Sequence, residues 1–253
     1  MTTDNALGAM LGLAMAECAS RTTEPLAATS PLPNAGLWAD GTSMALVLAE
    51  SLAETKGVDQ RDQMIRYTSW LRYGHLSSTE DCTDIDDPMR VAILRFERTW
   101  DPLDAEGTEG DACLARLAPV AIFSETLEQA RDNAALCTQT THAGKCSVEA
   151  SQFATAMLFH GLRGERDACF HIAPPTNETP SMSMLLAVRD IARDNDDFVQ
   201  GCTRCRALGL RAMAVYGQLA GGLLGATGLP PTWRTHVAKS ALIERLALAL
   251  ITT

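Results

Sequence analysis

Residues 6–20, ALGAMLGLAMAECAS, decide the fold class because this stretch is apolar on nearly every face. Leu7, Met10, Leu11 and Met15 recur within it at helical spacing. A helix that is apolar all round needs protein on every side. We therefore predict a central buried helix over residues 6–20.

Amphipathic patterns predict further helices, whereas alternating strand patterns with turn signals are missing. One helix is predicted to start with a cap at Thr42 or Ser43. Another starts with a cap at Asp87 and has Pro88 in its first turn. The predicted helices, after the first, cover residues 42–54, 60–73, 88–99, 112–123, 125–137, 146–163, 181–193, 196–206, 207–225 and 235–250. These patterns predict an all-α protein, a single compact helical domain over residues 1–253.

The composition excludes several classes of function. With 31 acidic and 21 basic residues the net charge is −10, and such a surface would repel nucleic acids and anionic membranes. The hydrophobic fraction of 46% suffices for a sizeable core. No segment reaches the roughly 18 uninterrupted apolar residues of a membrane span, and the N-terminus lacks the basic start of a signal peptide. We expect a cytoplasmic protein with its eight cysteines reduced, and the oligomeric state stays open.

The segment WADGTSMAL, residues 38–46, is the first candidate site. Asp40 and Thr42 lie close to a predicted helix N-terminus, where side-chain oxygens and free N–H groups converge. The pattern fits a ligand site, and it equally fits an ordinary N-cap with a neighbouring acid.

A second group of candidates lies farther along the chain. Asp84 and Asp86 belong to the densest acidic cluster, residues 80–87, which can hold a hard cation or form a solvated loop. His142 precedes a predicted helix, where it can hydrogen-bond a phosphate or a carbonyl or serve a structural role.

Seven segments, taken in order, resemble the ADP-ribosylglycohydrolase family. They are residues 8–14 (GAMLGLA), 38–46 (WADGTSMAL), 82–85 (CTDI), 116–120 (RLAPV), 140–142 (TTH), 216–221 (YGQLAG) and 230–233 (PPTW). The resemblance implies that family's all-α fold and hydrolysis of an N- or O-glycosidic bond of ADP-ribose. It also implies two divalent cations, usually magnesium, held between a Thr-Asp-Asp element and an Asp-x-Asp-Thr element.

Both metal-holding elements depart from the family pattern. Residues 39–41 read Ala-Asp-Gly in place of Thr-Asp-Asp, so only Asp40 keeps a carboxylate. Counting back from the YGQ match, the second element falls on residues 208–211 (LGLR), which offer no oxygen side chain and add a guanidinium. Since magnesium demands near-octahedral oxygen coordination, we expect no metal cofactor.

We hypothesise that Arg211 occupies the space of the former metals. There it would pair with Asp40, or with Asp84 or Asp86, because a guanidinium neutralises carboxylates through forked hydrogen bonds. The alternative is that Arg211 points to solvent and that the cavity has collapsed.

Two further departures and one matching acid lie in the same region. The family's Gly-Asp after the first helix is Ala16-Glu17 here, and its Asn-Gly-Ser is residues 111–113 (DAC). The second change removes a glycine near a phosphate-binding loop and adds negative charge. Glu24 aligns with a family acid that lies near the metals.

These departures predict a pseudoenzyme that lacks most of the dinuclear metal site and binds ADP-ribose, an ADP-ribosylated protein or a partner protein. The alternatives are an active hydrolase that removes ADP-ribose from a modified side chain, and a structural, crystallin-like role. The candidate catalytic residues are Asp40 and Glu24, and no metal ligand is assigned. The candidate ligand-binding residues are Thr42, Asp84, Asp86, Cys113, His142 and Arg211.

Overall fold

The computed structural model describes residues 1–104 and 106–252, whose regular elements are α-helices and short 3-10 helices. These residues contain no β-strand, which confirms the predicted all-α class. The helices are α1 (Thr3–Ser20), α2 (Asp40–Thr55), α3 (Gln60–Tyr73), α4 (Asp87–Thr99), α5 (Ala118–Phe123), α6 (Leu127–Gln139), α7 (Lys145–Leu162), α8 (Arg166–His171), α9 (Pro180–Arg193), α10 (Phe198–Cys205), α11 (Leu210–Leu224), α12 (Pro231–His236) and α13 (Ser240–Ile251).

Helix α1 lies in the core, as predicted, and its residues 8–19 are buried. Its closest neighbour is α11, because glycines face each other where the two helices cross. A Cβ added to Gly8 would lie 2.2 Å from the carbonyl oxygen of Gly221, and one added to Gly12 would lie 2.3 Å from that of Gly217. Backbone therefore packs directly on backbone.

In the described part of the chain no helix, α1 included, is long and apolar enough to cross a membrane.

Helix α2 begins earlier than predicted, at Asp40 rather than after a cap at Thr42 or Ser43. Its N-cap position is Ala39, which has no side-chain acceptor for the free N–H groups of the first turn. The carboxylate of Glu17, from α1, accepts hydrogen bonds from two of those groups instead. A cap supplied by a distant residue leaves no signal in the local sequence.

Helix α4 ends at Thr99 as predicted, but its N-cap is Asp86 rather than Asp87, because the Asp86 carboxylate accepts the N–H of Met89. The predicted helix over residues 235–250 is observed as α13 alone, which starts at Ser240, because residues 235–236 belong to the end of α12. Lys239 separates them in a left-handed conformation with φ at 49°.

Two further elements differ from the prediction. Residues 112–123 form a 3-10 helix, Ala112–Arg116, followed by α5, which has a proline in its first turn. Helix α8 was not predicted, because six residues are too few for a periodic apolar pattern.

Helices α3 and α4 form a smaller apolar cluster against one face of α2. Its buried members are Met44, Val47, Met64, Tyr67, Trp70, Met89, Ala92, Ile93 and Phe96. The outward-facing Val91 and Leu94 of α4 are exposed. The cluster thus holds α4 against α3, which itself packs on α2, and leaves the outer face of α4 open.

The close crossing of α1 and α11 predicts that a side chain at position 12 destabilises the protein. We expect Gly12→Ala to lower the free energy of unfolding by at least about 2 kcal/mol, because the new methyl group collides with backbone. The corresponding fall in Tm is about 4–8 °C. The control is Gly57→Ala, where an added Cβ meets nothing within 4 Å. An equal Tm for the two variants would contradict this prediction, because it would mean that α1 and α11 can move apart without a loss of stability.

Candidate functional site

Four buried or largely buried polar side chains meet near the ends of three helices and one loop. Glu17 comes from the C-terminal half of α1, Asp40 from the first position of α2, Arg211 from the start of α11, and His142 from the loop before α7. We call these four residues the central cluster. They stand out because the surrounding core is apolar.

Glu17 joins α1 to α2. Its side chain is fully buried, and its Oε2 accepts hydrogen bonds from the Thr42 hydroxyl at 2.6 Å and from the N–H groups of Thr42 at 2.9 Å and Ala39 at 3.1 Å. Gly41 makes room for the carboxylate, since a Cβ there would lie 2.4 Å from Glu17 Oε1. Burial, followed by the charge of Asp40, raises the pKa of Glu17 to about 7.

Asp40 and Arg211 form the predicted ion pair. Arg211 Nη2 donates to Asp40 Oδ2 at 3.0 Å, and 7% of the Asp40 side chain and 18% of the Arg211 side chain are exposed. Arg211 therefore does not point freely to solvent. Burial raises the pKa of the Asp40 carboxyl, and the guanidinium offsets part of that rise.

His142 is buried and lacks a partner on one ring nitrogen. Its Nδ1 lies 2.8 Å from the Thr141 hydroxyl, whereas its Nε2 lies 3.9 Å from Asp86 Oδ2, too far for a hydrogen bond. Burial, followed by the positive charges of Arg116 and Arg211, lowers the pKa of His142 to about 3. The imidazole is therefore neutral at physiological pH.

Each member of the central cluster carries one buried polar atom without a hydrogen-bond partner among the described residues. These atoms are Glu17 Oε1, Asp40 Oδ1, His142 Nε2 and Arg211 Nη1. An unsatisfied buried polar group costs about 1–3 kcal/mol. Four of them in one cluster are typical of a functional site rather than of a structural core.

Three other predicted site residues have protein partners of their own. Thr42 donates to Glu17, Asp86 caps α4, and Asp84 pairs with Arg21. The structure thus brings Thr42 and Asp86 to the edge of the central cluster. Their roles in ligand binding stay predictions.

Glu24 and Cys113 are not brought into the central cluster. The Glu24 side chain is exposed, and its carbonyl oxygen accepts from Arg206 Nη1 at 2.6 Å. Cys113 is buried in the apolar core, where the Ser151 hydroxyl lies 3.5 Å from its Sγ. A catalytic role for Glu24 and a binding role for Cys113 likewise stay predictions.

The sequence contained a signal for Glu17 that our prediction did not use. Glu17 is the single charged residue within residues 6–20, in a helix that is otherwise apolar on nearly every face. An acid at such a position is buried and must find hydrogen-bond or charge partners inside the protein, which makes it a candidate site residue. We read Glu17 only as a departure from the family pattern.

The described residues do not offer a donor set for a metal ion. Within residues 1–104 and 106–252, no three His, Cys, Asp or Glu side chains are grouped so that they could share one metal ion. Asp40, the carboxylate kept from the first metal element, has a guanidinium nitrogen at 3.0 Å. The residues present therefore do not fit a pair of divalent cations.

Comparisons with known proteins agree with this architecture. The sequence profile of the ADP-ribosylglycohydrolase family matches residues 1–204. A protein named ADP-ribosylarginine hydrolase Tri1 from Pseudomonas putida (strain GB-1) is 28% identical over an alignment of 289 positions. The alignment covers 98% of this chain and 78% of the relative. A protein of the same name from Serratia proteamaculans (strain 568) is 27% identical over 288 aligned positions. That alignment covers 96% of this chain and 78% of the relative. A solved structure titled "ADP-ribosylglycohydrolase-related protein complex" superimposes with a TM-score of 0.76 and 31% identity, and covers 99% of this chain and 98% of the other.

The raised pKa of Glu17 predicts a pH dependence of stability. Between pH 4.5 and about 7 the folded protein keeps a proton that the unfolded chain has lost, so the free energy of unfolding falls as pH rises through this window. The fall amounts to about 3 kcal/mol. We expect Glu17→Gln to remove most of it, because the neutral amide needs no proton and its oxygen still accepts from Thr42.

Urea unfolding at pH 5, 6, 7 and 8 measures this effect. The matched control is Glu244→Gln on the exposed surface of α13, which should keep the wild-type slope. If Glu17→Gln retained the full wild-type slope, the carboxyl would be ionised throughout and our reading of its burial would be wrong.

Proposed function

Because the chain belongs to the ADP-ribosylglycohydrolase family, we propose that it binds ADP-ribose or an ADP-ribosylated protein without hydrolysing it. The observation that carries this proposal is the ion pair between Asp40 and Arg211. A fixed positive charge here takes the place that the family gives to divalent cations.

The ion pair works against metal-assisted hydrolysis in two ways. Magnesium needs about six oxygen ligands in near-ideal octahedral geometry, and Asp40 shares its position with a guanidinium instead. The guanidinium also repels a cation electrostatically. We therefore assign no step to a metal.

The unpartnered atoms of the central cluster match the hydroxyl groups of a sugar. A hydroxyl can donate to Asp40 Oδ1 while its oxygen accepts from Arg211 Nη1. The neutral His142 Nε2 offers a third hydrogen-bonding position nearby. A ribose would satisfy these groups together, and the polar atoms that are costly when buried alone would favour its binding.

A second candidate is an active, metal-independent hydrolase. The observation in its favour is Glu17, whose pKa of about 7 leaves a proton donor next to the carboxylate of Asp40. An acid and a carboxylate in one site are what general acid–base cleavage of a glycosidic bond requires. The relatives named above carry the name hydrolase.

Calorimetry with ADP-ribose and a turnover assay distinguish the two candidates. We expect wild-type protein to bind ADP-ribose in EDTA and to release none from an ADP-ribosylated arginine peptide, with or without magnesium. Arg211→Lys keeps the charge but loses the forked geometry, so it should weaken ADP-ribose binding about tenfold. The control is Arg166→Lys on the surface, which should bind like the wild type.

The alternative results are equally specific. Release of ADP-ribose that is lost in Asp40→Asn, with the variant still folded by circular dichroism, would contradict the pseudoenzyme and favour the hydrolase. Absence of binding to both ADP-ribose and the modified peptide would overturn both candidates.

A further inference from the structure

Arg116 is a buried arginine without an acidic partner. It is 1% exposed, and it forms no ion pair with any acid in the part of the chain that the structure describes. The guanidinium contacts neutral groups instead, namely Thr141 Oγ1 at 2.6 Å, the Cys137 carbonyl oxygen at 3.4 Å, Met89 Sδ at 3.7 Å and the Tyr67 ring at 5.0 Å from its centre. Because burying a charge without a counter-charge lowers stability, packing alone does not account for an arginine at this position.

The shortest of these contacts fixes the direction of the hydrogen bonds at Thr141. A guanidinium has donors and no acceptor, so Thr141 Oγ1 accepts from Arg116 and its own hydrogen is left for another group. Among the residues whose structure is described, the other polar partner of this oxygen is Nδ1 of His142, at 2.8 Å. The hydroxyl is fully buried, where a hydrogen without an acceptor would lower stability. Every group is satisfied when Thr141 donates to Nδ1.

This direction determines which nitrogen of His142 carries the proton. The imidazole is neutral and therefore has one N–H group. Because Nδ1 accepts a hydrogen bond, that N–H is on Nε2. The position of Asp86 supports the same tautomer independently, since its Oδ2 lies 3.9 Å from Nε2, where it attracts an N–H and would repel a lone pair.

Asp86 connects this N–H to the surface of the candidate site. Its Oδ1 accepts the N–H of Met89 at the start of α4, and its Oδ2 faces His142. The Asp86 side chain is 27% exposed, so a ligand can reach it. Its charge also acts on Asp40 and on Arg211, which shows that it lies beside their ion pair.

We infer that Arg116 is a positioning residue for the proposed ligand site. Acting through the Thr141 hydroxyl, it holds the proton of His142 on Nε2, next to the carboxylate of Asp86. Asp86 is thereby kept in place as an acceptor, which favours a ligand group that donates a hydrogen bond, such as a sugar hydroxyl. It disfavours a phosphate at this edge of the central cluster, because two negative charges repel each other. The consequence for the ligand rests on the proposed function, whereas the assignment of the proton does not.

NMR of the full chain with 15N-labelled histidine tests the assignment without any ligand. The chain has five histidines, and the signals of His142 are those that disappear in His142→Gln. We expect a pyrrole-type 15N shift for Nε2 and a pyridine-type shift for Nδ1 between about pH 5 and 8. A pyrrole-type shift for Nδ1 in the wild type would overturn the inference.

Arg116→Met tests the role of the guanidinium. The Thr141 hydroxyl can then turn and accept from Nδ1, and a positive charge next to His142 is lost. We therefore expect the pKa of His142 to rise and its 15N shifts to move towards a mixture of the two tautomers. The control is Arg131→Met on the exposed surface of α6, which should leave both unchanged. Wild-type His142 spectra in a folded Arg116→Met would overturn the role of Arg116.

Thr141→Val and Thr141→Ser form a second pair, which keeps Arg116 in place. Valine has a similar shape without the hydroxyl, whereas serine retains it. We expect the Nδ1 shift to change and ADP-ribose binding to weaken about tenfold in Thr141→Val, and both to stay close to the wild type in Thr141→Ser. Equal Nδ1 shifts or equal affinities in the two variants would overturn the inference. Absence of ADP-ribose binding by the wild type would instead overturn the proposed function, and the spectra recorded without ligand would still decide the position of the proton.

Discussion

The hydrogen bonds from the first turn of α2 to the carboxyl of Glu17 connect the core to the candidate site. They fix the N-terminus of α2 on α1, which itself packs backbone to backbone against α11. Asp40 is the first residue of α2 and Arg211 is the second residue of α11. The positions of both members of the ion pair therefore follow from the way in which α1 holds the two helices on which they lie.

Two departures from the family pattern are physically linked through this contact. A longer acid stands at position 17, and a glycine stands at position 41. The Glu17 carboxyl fills the space next to Gly41 that any side chain at that position would need. Considered singly, each change removes a feature of the family. In the structure they form one arrangement, in which a carboxyl from α1 replaces a side chain of α2.

The sequence predicted the buried helix and the all-α class, because both depend on apolar patterns that recur at fixed spacing. For Arg211 it left three acids as possible partners, and the structure pairs Arg211 with the first of them, Asp40. The YGQ match at residues 216–218 placed Arg211 five residues before it on the same predicted helix. The start of α2 and the place of Glu17 were not predicted. Both depend on a contact between residues 22 or more positions apart, and a local capping pattern contains no information about it.

The charges of the central cluster explain why its residues suit a neutral, hydroxyl-bearing group, such as the ribose that we propose, better than cations. A site for two divalent ions keeps its carboxylates ionised, because the ions compensate several buried negative charges. Here Arg211 supplies one positive charge, which balances Asp40 and leaves none for Glu17. Burial then raises the pKa of Glu17 to about 7, and His142 stays neutral under the same positive field. With Glu17 protonated, the net charge of the cluster is close to zero, and the atoms that remain unpartnered are hydrogen-bonding groups that a sugar can satisfy.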